Sequence, residues 1–181
     1  MFFAPYFPTL STPNFHQKFT IFTPNFETPI YTIVAPTSLR DAFTCATNAP
    51  TRLTKLESLD FTNFDTSETT DFYRFLHSSP VTTLTFGEKF TTANATNMYQ
   101  MFNSLKNLTT LDLSQFDMRS ATSYGSFLEG SSKIVQLKTP YNSGSKTITI
   151  KLGSTMYVNG ASSTTFKDYT LTNTSKVLWK K

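Results

Sequence analysis

Apolar and polar positions recur along this chain with a period of 26 residues. Phe64, Phe90 and Phe116 stand at that interval, as do Phe72, Met98 and Tyr124, and Phe75, Met101 and Phe127. Ahead of each set lies a leucine-spaced stretch: LESLDFTNFD at 56–65, VTTLTFGEKF at 81–90 and LTTLDLSQFD at 108–117. Alternation within these stretches predicts strands, with Leu59 and Phe61 facing inward and Ser58 and Asp60 outward. The period then changes. In SETTDFYRFL at 67–76, Phe72, Phe75 and Leu76 fall at i, i+3 and i+4, the spacing of a short helix that Ser67 would cap. ANATNMYQMF at 93–102 and RSATSYGSFL at 119–128 are its counterparts, although Gly125 makes the third a poor helix and closer to a loose turn.

A repeat of this length predicts a solenoid, because one unit cannot bury its own apolar face and neighbours must cover it. The pattern divides the chain into three parts. Residues 1–37 are rich in Phe, Pro and Thr and read as an N-terminal cap or leader, with strands at KFTIF (18–22) and IYTIV (30–34). Residues 38–137 hold about three and a half units. Their spacing drifts: Leu59 to Leu84 is 25 residues, Leu84 to Leu111 is 27, and Leu111 to Leu137 is 26, so that Gly87 reads as an inserted residue at a tolerated bulge. Residues 138–181 lose the repeat. Alternation in KTITIKL (146–152) and DYTLT (168–172), with turn residues at 142–145 and 159–163, predicts a lysine-rich β C-terminal cap.

LDFTNFDTSETTDF, TNMYQMF and NLTTLDLSQFD resemble the 26-residue repeat of BspA-like bacterial surface proteins, a divergent leucine-rich repeat, over about residues 38–140. The third unit departs from that pattern at Met118–Arg119, and the second reads FGEKF where the family has LSxFD. The resemblance implies a leucine-rich-repeat solenoid, a right-handed β/α coil of short parallel strands and short helical turns. It implies a cell-surface or secreted protein, adhesive toward host proteins, matrix or other cells, with no catalytic residues and no cofactor. In such a coil the outward strand side chains form one exposed row. Here they are Ser58, Asp60, Thr83, Thr85, Thr110, Asp112, Gln136 and Lys138, short hydrogen-bonding groups that lose little entropy on binding a protein or glycan.

Composition adds to this picture at three points. Thr and Ser number 33 and 19, a bias toward strands, turns and caps. Charge is uneven: residues 1–132 carry eight Lys and Arg against eleven Asp and Glu, whereas residues 133–181 carry eight Lys against Asp168 alone. That basic region offers an alternative role, binding of anions or nucleic acid, or else a solvated strand edge guarded by lysines. Nucleic acid is the weaker partner, because Tyr141, Tyr157, Tyr169 and Trp179 serve equally as core residues. Cys45 is alone, which excludes an intrachain disulfide and a cysteine zinc site. MFFAPYFPTL, interrupted by Pro5 and Pro8 and with Lys18 as its first cation, does not read as a signal peptide, and no apolar run reaches the ~20 residues of a membrane helix.

Candidate chemistry is sparse. His16 and His77 have no partner at metal-ligand spacing. Asp60 and Asp65 match Asp112 and Asp117, but the middle unit has Thr85 and Thr91 in those places, which interrupts any calcium ladder; Asp65 and Asp117 read as turn caps. Asn94, Asn107 and Asn173 begin glycosylation sequons, of consequence only in a eukaryotic secretory setting. Neither a glycine-rich phosphate loop nor an HExxH motif is present.

Overall fold

The structure is a computed structural model that describes residues 32–45, 53–158 and 165–180. The predicted strand at 18–22, most of the N-terminal segment, His16 and the turn at 159–163 lie outside these residues. In chain order the strands are β1 (Ile33–Val34), β2 (Ser58–Phe61), β3 (Phe64–Asp65), β4 (Thr83–Phe86), β5 (Thr110–Asp112), β6 (Gln136–Lys138), β7 (Thr149–Val158), β8 (Thr165–Thr170) and β9 (Val177–Lys180). They form three small sheets, ordered β1-β3, β2-β4 and β5-β6-β9-β7-β8.

This corrects the expected fold. The leucine-rich-repeat solenoid, a β/α coil with helical turns, is not found: among the described residues there is no α-helix, only a 3-10 turn at Leu53–Lys55, and the chain is β-rich with small, separate sheets. The reason lies in where the backbone donors of the predicted helices go. In 72–78 every second N–H donates to the neighbouring unit: Phe72 to Asn97 O (2.7 Å), Arg74 to Tyr99 O (2.9 Å), Leu76 to Met101 O (2.9 Å) and Ser78 to Asn103 O (2.9 Å). The N–H groups between them close tight turns, Phe75 on Phe72 O and His77 on Arg74 O. The same alternation links 39–45 to 71–77 and 98–104 to 123–129. A helix would need these donors for its own i−4 carbonyls. Continuing the alternation requires left-handed backbone, and Asp41, Arg74, Ser78, Gln100, Ser104 and Ser126 adopt it, with φ between 51° and 59°. Ser67 therefore caps no helix; its N–H donates to Asp65 Oδ1 (3.0 Å).

Parallel pairing puts equivalent residues side by side. Ser58 to Phe61 lie opposite Thr83 to Phe86, and Thr110 to Asp112 opposite Gln136 to Lys138. Isolated parallel bridges join Ser38 to Asp71, Asp71 to Asn97 and Asn97 to Ser123. Inward side chains meet in one core. Phe72, Phe75, Met98, Met101, Phe102, Phe116 and Phe127 are fully buried. The Phe90 and Phe116 rings stack with centroids 5.6 Å apart, and Phe61 lies 5.4 Å from Phe90.

Threonines and serines satisfy the buried polar backbone between units. Thr66 Oγ1 donates to Thr91 O (2.7 Å) and accepts from Thr91 N (2.8 Å), and Thr92 Oγ1 donates to Asp117 O (2.9 Å). Ser131 Oγ donates to Phe102 O (2.7 Å) and accepts from Leu105 N (2.9 Å). On the surface Thr96 and Thr122 donate to Thr70 O and Thr96 O, one unit back. This is the structural use of the Thr and Ser excess.

Gly87, expected as a bulge, follows β4 directly, and β2 and β4 pair without a register shift. A Cβ there would fall 1.9 Å from Thr62 O, so the position admits no side chain. Gly87→Ala is expected to lower stability by at least ~2 kcal/mol, read as a fall in the urea midpoint. Ser78→Gly, which relieves a left-handed residue with a small side chain, is expected to raise stability by up to ~1 kcal/mol in the same measurement.

Candidate functional site

Alternation along β2, β4, β5 and β6 places Ser58, Asp60, Thr83, Thr85, Thr110, Asp112 and Lys138 at exposed positions, with Gln136 half-buried. Pairing aligns Ser58 with Thr83 and Asp60 with Thr85, then Thr110 with Gln136 and Asp112 with Lys138. The eight residues are thus brought together as two groups of four. They do not form one continuous row, because β4 and β5 belong to different sheets. Between those sheets Gln115 Nε2 donates to Gly87 O (2.8 Å) and Phe90 O (3.0 Å).

Several of these side chains already serve the fold. Asp60 Oδ1 accepts from Thr62 N (2.8 Å), and Asp112 Oδ1 accepts from Ser114 N (3.0 Å) and Ser114 Oγ (2.6 Å). The other Asp112 oxygen pairs with Lys138 Nζ at 2.6 Å. Burial would raise the Asp112 carboxyl, but the hydrogen bonds from Lys138 and Ser114 outweigh it and hold the group below its ordinary value. Ser58, Thr83, Thr85 and Thr110 make no side-chain hydrogen bond among the described residues, so they are the groups free to meet a ligand.

The remaining candidates resolve into structural roles. Asp65 Oδ1 accepts from Ser67 N, which with the Ser67 hydroxyl lowers its carboxyl below the usual range. Asp117 is buried and accepts from Arg119 N (3.0 Å), Ser143 N (3.1 Å) and Ser143 Oγ (2.6 Å), with Arg119 Nε 3.2 Å away. Asn94 Nδ2 donates to Ser67 O and Asn107 Nδ2 to Pro80 O. Cys45 is half-buried. His77 sits beside Arg74 and Asp41, with Nδ1 buried and unpartnered. Among the described residues, no group of three or more His, Cys, Asp or Glu could hold a metal ion, and no helix is long and apolar enough to cross a membrane.

Sequence reasoning missed two constellations. One is a stack in which the Arg40 guanidinium lies 4.2 Å over the Tyr73 ring, and Tyr73 stacks on Tyr99 at 5.7 Å. Its signal was present, since Tyr73 and Tyr99 stand one period apart. The other is a group of charged and hydroxyl side chains around residues 151–155, which only the pairing of β7 with β8 brings together. No family model, curated protein or solved structure matches the chain.

Burial, and then the nearby Arg74 charge, push His77 below the ordinary histidine value. The unfolded chain therefore binds a proton that the folded chain refuses. Stability held above about pH 6.5 is expected to decline as pH falls through that value toward the lower folded one. Urea midpoints at about pH 7.5 and pH 5.5 should differ in the wild type, and the difference should shrink in His77→Gln.

Proposed function

We propose that this chain is a non-enzymatic recognition or adhesion module of a cell-surface or extracellular protein, binding a protein or glycan through its exposed strand faces. One observation carries the reading: Ser58, Thr83, Thr85 and Thr110 project unspent hydroxyls from in-register parallel strands whose opposite faces are locked into a phenylalanine-rich core. Hydroxyls held on a rigid ladder lose little freedom on binding. The resemblance of residues 38–140 to BspA-like surface repeats supports the same assignment to the cell exterior. The partner class follows from the side chains, which offer hydrogen bonds and little apolar area.

The basic C-terminal region supports a second reading, an anion or nucleic-acid binder. Lys133, Lys146, Lys151, Lys167 and Lys176 are exposed, and none makes an ion pair among the described residues. Phosphate-driven binding of this kind falls steeply with salt.

Asp60 and Asp112 hold turns, so replacing them confounds folding with recognition. Thr85→Lys combined with Thr110→Glu leaves those turns intact. With immobilised fibronectin, collagen and a glycan panel as probes, the double variant is expected to bind at least ~10-fold more weakly than the wild type, as loss of two hydrogen bonds and insertion of two charges would require. Equal binding by both would exclude the strand faces. Binding to duplex DNA that collapses between low and moderate salt would favour the second reading.

A further inference from the structure

β7 and β8 pair regularly from Thr149 opposite Thr170 to Lys151 opposite Asp168, and pairing resumes only at Met156 opposite Phe166. Leu152 to Thr155 on β7 therefore face Lys167 alone on β8, a large bulge. Gly153 seats the bulge against the repeat region, where a Cβ would lie 2.7 Å from both Leu128 O and Ser131 N. That close approach brings Glu129 to the same place. A crevice of about 340 Å³ results, with Glu129, Lys151, Ser154, Thr155, Lys167 and Asp168 around the buried Leu152.

These polar groups are mostly unspent. Lys151, Thr155, Lys167 and Asp168 make no side-chain hydrogen bond or ion pair among the described residues, and Ser154 Oγ is buried with no partner. Glu129 accepts one hydrogen bond, from Ser126 Oγ at 2.6 Å. The Ser154 hydroxyl is shielded from solvent, so the groups a ligand would meet are the exposed Lys151, Thr155, Lys167 and Asp168, with Glu129. The mixture of groups narrows what that is. A bare anion would use the two ammonium groups but be repelled by Glu129 and Asp168. An apolar ligand would leave every polar group stranded. A sugar ring carrying a carboxylate uses both sets: its acid meets the lysines and its hydroxyls donate to the carboxylates and to Thr155. Eight lysines against one acid in 133–181 would draw an anionic polysaccharide toward the crevice.

We infer that the bulge of β7 forms a binding site for a single acidic sugar unit of the uronic-acid class. It lies on strands other than those of the recognition face, so the two stand or fall separately.

The test is an amide chemical-shift titration of the full chain with glucuronate, glucose and inorganic phosphate at matched ionic strength. Glucuronate should saturate shifts confined to residues 151–155 and 167–168. Glucose should act on the same amides about tenfold more weakly, and Lys167→Gln should weaken glucuronate by about tenfold. Thr155→Val should also weaken it, whereas Lys146→Gln and Thr85→Lys should leave it unchanged. Phosphate saturating the same amides as tightly as glucuronate would overturn the proposal in favour of a simple anion site. Equal affinity for glucose, or no localised response to glucuronate, would overturn it as well.

Discussion

The structure depends on one constraint: along the turn-side stretches of each unit, alternate backbone N–H groups are given to the next unit instead of to the same turn. Each unpaired backbone donor in a buried segment is costly, so these stretches have no stable conformation without a neighbour. The interior donors close four-residue turns, and the geometry that allows both sets at once places Arg74, Gln100 and Ser126 in the left-handed region. Those residues carry strain that only the neighbouring unit repays. Cooperativity between units is thus built into the backbone, before any side chain is considered.

Side chains follow the same logic. Phenylalanines supply the buried area, in edge and stacked contacts such as Phe102 with Phe127 at 5.3 Å, while threonine and serine hydroxyls reach one unit across to carbonyls that the strands leave over. Short aspartates fold back on the residue two ahead, at Asp60, Asp65, Asp71, Asp112 and Asp117. What the composition offers as ligand-binding chemistry is therefore divided. The carboxylates mostly hold turns, and the hydroxyls of Ser58, Thr83, Thr85 and Thr110 remain available.

The strands at 58–61, 83–86, 110–112 and 136–138 were legible because alternation is a local property that survives whatever the strand pairs with. The helices were not, because Phe72, Phe75 and Leu76 satisfy a helical spacing equally well when a left-handed Arg74 turns the chain between them. Nothing at Arg74, Gln100 or Ser126 announces such a conformation, since glycine and asparagine are its usual markers. The division of the candidate face into two groups had a faint trace. Pairing holds where the leucine interval is 25 or 26 residues and lapses between β4 and β5, where it stretches to 27. The crevice at 151–155 had no trace, because it rests on a register lapse between two strands that periodicity alone does not reveal.

β9 lies antiparallel on β6, with Leu178 opposite Leu137, and β7 lies antiparallel on β9. The edge that β6 would otherwise offer to another parallel segment is thereby occupied by a strand running the wrong way for one. Duplication of a repeat can be absorbed upstream of residue 136, but a copy inserted after it would meet a closed edge. For a lineage that copies its repeats, β6 is therefore a terminus at which no further parallel strand can join.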